Sequence, residues 1–121
     1  MDDETMRILA KASNLAGMTG QHKEALEIAE AIRVILPDES NAAVVQANAL
    51  LHAGKFTEAA NILRDTVLAN EPDNVIAKAM LGLSFHAAGQ RTERDTVLQE
   101  VIESGSDDEN AVGLAKGLLH A

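Results

Sequence analysis

Histidine is the residue type in this chain best suited to metal or proton chemistry, and there are four: His22, His52, His86 and His120. A neutral imidazole can ligate zinc or exchange a proton near neutral pH, but a zinc site needs at least three protein ligands. Only His52 and His86 come together in a stacked helical arrangement, each near the end of a predicted helix, and no third ligand accompanies them. They read as ordinary helix-end histidines, and no metal is expected. The chain has no cysteine, so no thiolate nucleophile, thiolate metal site or disulfide exists. HExxH, P-loop, GxSxG and EF-hand patterns are all missing from the sequence. The acidic runs Asp2-Asp3-Glu4, Asp38-Glu39 and Asp107-Asp108-Glu109 each precede a predicted helix, where negative charge meets the positive end of the helix dipole. Without a nucleophile, base or ligand cluster, the expectation is a protein that is not an enzyme and carries no cofactor.

The elements that would position these residues are helical. Of 121 residues, 21 are Ala and 14 are Leu, whereas Phe56 and Phe85 are the only aromatics. Ala and Leu head the helix scale, while strands favour β-branched and aromatic residues. A chain of this length can bury a core without a metal or disulfide. The net charge of −9 repels phosphate backbones and anionic lipid surfaces, so nucleic acid is not an expected partner. The start, MDDETMRILA, is acidic and lacks the apolar run of a signal peptide, and no apolar stretch is long enough to span a membrane. A cytoplasmic protein is therefore expected.

Three segments share a pattern: GQHKEAL from Gly20, GKFTEAA from Gly54 and GQRTERD from Gly89. The glycines are spaced by 34 and 35 residues, and Pro37 and Pro72 by 35. A period near 34 indicates stacked helical pairs. Gly suits the residue just after a helix because it enters the left-handed region freely, and Pro cannot continue a helix interior. The pattern predicts seven helices, at about 4–17, 21–35, 39–53, 57–70, 74–88, 92–104 and 108–120. Ile8, Ala12, Leu15 and Ala16 form an apolar stripe on the first, and Ala59, Ile62, Leu63, Thr66 and Val67 on the fourth. Ser106 to Glu109 has the spacing of a capping box for the seventh. Gly113 and Gly117, four apart on that helix, fit either close docking or simple tolerance near a terminus.

This arrangement resembles the tetratricopeptide repeat. The resemblance rests on Gly54, Phe56, Ala59, Leu63 and Pro72 in the middle unit and on Gly20, Ala25, Ala29 and Pro37 in the first. The third keeps Gly82, Phe85 and Gly89 but has Arg94 where the family prefers a small residue, and Ser106 near its missing Pro. The resemblance implies an all-α, right-handed superhelical stack: repeat 1 over about 4–37, repeat 2 over 38–72, repeat 3 over 73–105, and a capping helix over 107–121, all in one domain. In such stacks the first helices of each pair line a concave groove. Repeat phase maps that groove to Arg7, Ala10 and Asn14 in the first repeat, Asn48, Leu51 and His52 in the second, and Ile76, Ala79, Leu83 and His86 in the third. A largely uncharged groove in an acidic protein suits the apolar face of an amphipathic helix or an extended segment. Gripping a chaperone's C-terminal carboxylate would need several groove cations, and Ile76 and Met80 stand where that clamp carries them.

Longer segments, LAGMTGQHKEALEIAEAI from Leu15 and AKAMLGLSFHAAGQRTERDTVLQEVIESGSDDENAVGLAKGLL from Ala77, resemble the small three-repeat tetratricopeptide proteins of bacterial type III secretion, both the needle-subunit co-chaperones and the Hrp-type proteins. That resemblance implies a chaperone that buries the amphipathic helix of a needle subunit and blocks its polymerisation before export. It also implies a second small helical co-chaperone on the first helix, where Met6, Ile8 and Leu9 are the candidate surface. A general tetratricopeptide scaffold with another peptide partner is the alternative.

Overall fold

A computed structural model describes residues 1–119. His120 and the last residue of the expected capping helix lie outside them. Seven helices run through the described chain. They are α1 (Asp3–Met18), α2 (His22–Ile35), α3 (Ser40–His52), α4 (residues 56–70), α5 (Val75–Ala87), α6 (Arg91–Glu103) and α7 (Glu109–Leu119). Consecutive helices pair α1 with α2, α3 with α4 and α5 with α6, each pair stacks on the next, and α7 closes the stack against α5 and α6.

The three glycine turns are built alike. Gly20, Gly54 and Gly89 have φ of 84°, 77° and 76°, a region costly for any residue with a Cβ. In each, the residue after Gly donates its N–H to a carbonyl five residues back: Gln21 to Ala16, Lys55 to Leu50 and Gln90 to Phe85, all at 2.8 Å. These bonds satisfy carbonyls that the ending helix leaves open. Three helix starts are capped by side chains: Asp2 accepts from Thr5 N–H at 2.7 Å, Asn74 from Ala77 at 3.0 Å and Asp108 from Ala111 at 3.0 Å. The N–H of Thr5 favours the ionised form of Asp2, holding its carboxyl below the usual range. The cap of α7 is thus Asp108, not Ser106. Ser106 Oγ instead accepts from the Asp108 N–H at 3.1 Å, one turn earlier.

Small residues set the helix spacing. Ala25 and Ala59 are fully buried where second helices cross their partners, and buried Ser13 donates from Oγ to the Ala25 carbonyl at 2.9 Å. At Gly82 the closeness of α5 and α6 is greatest, because a Cβ there would overlap the buried Leu98 side chain. The main core gathers Leu50, Leu63, Val67, Leu81, Leu98 and Val101 from α3 to α6, and α7 joins it through Ala111 and Ala115.

Three local expectations change. The stripe on α1 does not face inward: Ala16 is buried, but Ile8 and Leu15 are 60% and 62% exposed and Ala12 is also exposed. Among the described residues α1 packs only on the side of α2 and α3, and its buried face is Ser13, Ala16 and Gly17. On α7, nothing lies within 4 Å of where a Cβ would stand at Gly113 or Gly117, so neither docks. Helix α4 is α-helical over Phe56–Ile62, π-helical over Leu63–Val67 and α-helical again over Leu68–Asn70. Its apolar stripe nonetheless turns inward, with Ala59, Leu63 and Val67 buried.

Candidate functional site

The first helices of the pairs, α1, α3 and α5, bring equivalent positions into register. Arg7, Asn41 and Ile76 share one phase, Ala10, Val44 and Ala79 a second, and Asn14, Asn48 and Leu83 a third. Two clefts form along this surface. Between α1 and α3, Asp3, Met6, Arg7, Ala10, Asn41, Val44 and Val45 line about 490 Å³. Between α5 and α7, Ile76, Ala79, Met80, Asp108, Asn110, Ala111 and Leu114 line about 230 Å³. The α5/α7 cleft is mainly apolar, through Ile76, Met80 and Leu114, whereas the α1/α3 cleft sets Met6, Val44 and Val45 beside the polar Asp3, Arg7 and Asn41.

Where α1 meets α3, the two asparagines engage each other: Asn48 Nδ2 donates to Asn14 Oδ1 at 2.7 Å. Asn14 Nδ2 reaches Met18 Sδ at 3.5 Å. Asn48 keeps its own carbonyl oxygen as an acceptor, so the pair can still bond the main chain of a segment laid across it.

The structure divides the groove residues expected from sequence. Arg7, Ala10, Ile76 and Ala79 line the clefts, although Ala79 is only 3% exposed, and Asn14 and Asn48 form the polar pair. Leu51 packs half-buried against the main core, and Leu83 is half-buried on α5. His52 and His86 each have a different partner. The His52 ring covers Gly17 of α1 so closely that a Cβ on that glycine would lie 2.9 Å from its Cδ2. His86 Nδ1 lies 2.9 Å from Arg94 Nη1 in its own repeat. Among the described residues no group of three His, Asp or Glu side chains could hold a metal ion.

Sequence reasoning missed Asn41, Val44 and Val45 on the middle helix and the contribution of α7. The signal for the first two was present: adding one period of 34 to Arg7 and Ala10 gives Asn41 and Val44. For α7 it was weaker, since a helix outside the repeats has no phase to copy.

A right-handed stack of three helix pairs closed by a seventh helix defines a tetratricopeptide-type fold. Two solved structures share it. The first tetratricopeptide domain of Spaghetti (RPAP3) bound to an HSP90 peptide, SRMEEVD, superposes with a TM-score of 0.76 at 17% identity, covering 99% of this chain and 94% of that one. The tetratricopeptide domain of Sgt2 from Aspergillus fumigatus gives 0.78 at 20% identity, covering 98% and 76%. No curated protein matches the chain. The whole chain, residues 1–121, matches the bacterial type III secretion protein family HrpB1_HrpK, and the protein belongs to that family. Among the described residues, no helix is long and apolar enough to cross a membrane.

Proposed function

We propose that the protein is a non-enzymatic secretion chaperone that holds an amphipathic helix of an export substrate, such as the needle subunit, in the groove of α1, α3, α5 and α7. The three repeats and α7 act as one binding domain. The observation that carries this reading is the pair of clefts, about 490 and 230 Å³, the smaller mainly apolar and the larger part polar, on one inner surface of a chain with net charge −9. Apolar faces of a partner helix can be buried there while the acidic exterior keeps the complex dispersed. The family and the fold support a protein-binding chaperone or adaptor, and the amphipathic occupant follows from the lining.

The exposed Ile8 on α1, with half-buried Leu9 next to it, is the surface for a second small helical partner in this reading, Met6 lining the α1/α3 cleft instead. The substrate must be bound before export, which puts the complex in the cytoplasm. Co-expression with the needle subunit of the same secretion system, followed by size exclusion, should yield a soluble stoichiometric complex in which the subunit stays unpolymerised. Cell fractionation should recover that complex with cytoplasmic markers. Absence of a complex moves the assignment to a general tetratricopeptide adaptor with another peptide partner.

A further inference from the structure

The end of the stack formed by α1 and α2 carries an apolar face that no described helix covers. Among the described residues, six of the seven large apolar side chains that stand in solvent lie within positions 1–35. Helical spacing puts Ile8, Ala12 and Leu15 on one stripe of α1 and Ile28, Ala31 and Ile35 on one stripe of α2. Ala12, Leu15 and Ile28 line a single cleft of about 440 Å³, so the two stripes make one surface. It lies opposite the residues that meet α3, which are Arg7, Asn14 and Gly17 on α1 and Arg33 on α2.

The later repeats show how the same phase is used inside the stack. The residues equivalent to Ile8 and Leu15 are Ala42 and Ala49 in the second repeat and Ala77 and Ser84 in the third, none more than 1% exposed. Small side chains there let the preceding helix pair close in, whereas Ile and Leu hold a neighbour further out. The face therefore suits a separately docked surface better than one more repeat stacked like the others. Left in water it is a liability, since the outer faces of terminal repeats are ordinarily polar.

The charges around the face select its occupant. Positions 7–35 hold four basic and three acidic residues, in a chain with ten and nineteen, so two copies meet here with the least repulsion. The bond from Ser13 Oγ to the Ala25 carbonyl sets positions 13 and 25 of these antiparallel helices at one level, and with them Lys11 and Glu27. Both side chains are exposed, and Glu27 approaches Lys23 only to 4.0 Å. A two-fold axis parallel to the helices lays α1 of one copy over α2 of the other. Each Lys11 then faces Glu27 of the second copy, and each Ile8 comes over Ala31. The patch is complementary to itself in charge and in size, as a two-fold interface requires.

We infer that the α1/α2 face is a docking surface for a second copy of this chain, giving a two-fold symmetric dimer. Two helices about 22 Å long and about 10 Å wide cover roughly 450 Å² per copy, the range of a weak, reversible dimer with Kd on the order of 10 to 100 µM. The clefts lie on other sides of the stack, so the dimer does not depend on the chaperone reading. The small helical partner proposed for Ile8 and Leu9 uses the same end, and the dimer is the state of the chain without it.

Sedimentation of the full-length free chain from about 1 to about 300 µM tests this, the span bracketing the expected Kd. The mass should rise with concentration from 12.8 kDa towards twice that value. Leu15→Glu, at a side chain 62% exposed, should keep the helical circular dichroism and weaken the dimer about tenfold or more. Lys11→Glu should also weaken it, and combining Lys11→Glu with Glu27→Lys should restore it, which a fold defect would not do. Ile76→Asp, outside the face, should leave it unchanged. A 12.8 kDa species throughout the range overturns the inference. So does a dimer that Leu15→Glu leaves intact or that the charge exchange fails to restore. A chain that stays monomeric alone and gains mass only with the small helical co-chaperone of the same secretion system assigns the face to that partner instead.

Discussion

Ile76→Asp separates binding from folding at the groove. Ile76 is 50% exposed and lies in the first turn of α5, next to its cap Asn74. Full burial of an isoleucine is worth about 1.5–3 kcal/mol, so a half-exposed one forfeits about 1 kcal/mol on becoming Asp. A carboxylate in the first turn regains about 0.3–1 kcal/mol from the helix dipole. The two nearly cancel, and the helical circular dichroism and melting temperature should stay close to wild type. Binding is different. A partner helix seated in the α5/α7 cleft would cover the exposed half of Ile76, and the variant loses that contact while placing a charge under an apolar face. The expected loss is about 2–4 kcal/mol, roughly 30- to 1000-fold in Kd. Calorimetric titration against the purified needle subunit measures the loss, and a thermal melt of the same sample checks the fold. A Kd within about threefold of wild type, in a protein that melts normally, would show that the partner does not occupy this cleft. Leu83→Asp is the less discriminating variant, because Leu83 is half-buried and part of its loss falls on the fold.

Gly82→Ala should destabilise the protein by about 1–2 kcal/mol in chemical denaturation, overlap with Leu98 exceeding the roughly 1 kcal/mol gained in helix propensity; Gly113→Ala, facing open space, should stabilise it by up to about 1 kcal/mol. The peptide SRMEEVD should show no saturable binding in fluorescence polarisation, because Ile76 and Met80 supply no charge where a carboxylate clamp needs cations. Affinity comparable to that of a cation-lined clamp would contradict this account of the groove. Because the Asp2 carboxyl titrates below the usual range, its cap contributes above the unfolded carboxylate value and is lost as pH falls through the folded one. The protection factor of the Thr5 amide, its exchange rate corrected for the intrinsic rate at each pH, should fall on acidification through that window, and Asp2→Asn should remove that fall while keeping an acceptor.

Much of this fold was legible because repeated turns impose repeated chemistry. A left-handed turn residue at Gly20, Gly54 and Gly89 and a small residue at Ala25 and Ala59 can be read from one chain, since few side chains satisfy those positions. The groove was only half legible. Arg7, Ala10, Ile76 and Ala79, reached by phase arithmetic, line the clefts and Asn14 bonds Asn48, but His52, expected in the groove, is held against Gly17. The π-helical turn in α4 left no mark on its apolar stripe, because one extra residue per turn shifts the face without changing which residue types can be buried.

Apolar periodicity states which residues tolerate burial and cannot state whether a neighbour is present to bury them. Ile8 and Leu15 have the spacing of a core stripe, yet they face outward because no described helix packs on that face of α1. Arg94 gives the converse: a residue type that ordinarily stays in water is enclosed because α6, which carries it, packs against α5 of the same repeat regardless. Both departures occur where the stack stops copying itself, at its first helix and in its last repeat. At the first, apolar side chains stay in water for want of a neighbour, and at the second a charged side chain is enclosed despite the cost of burying it. The two places where this chain breaks its own pattern are therefore the places where a function separate from the groove has room to reside.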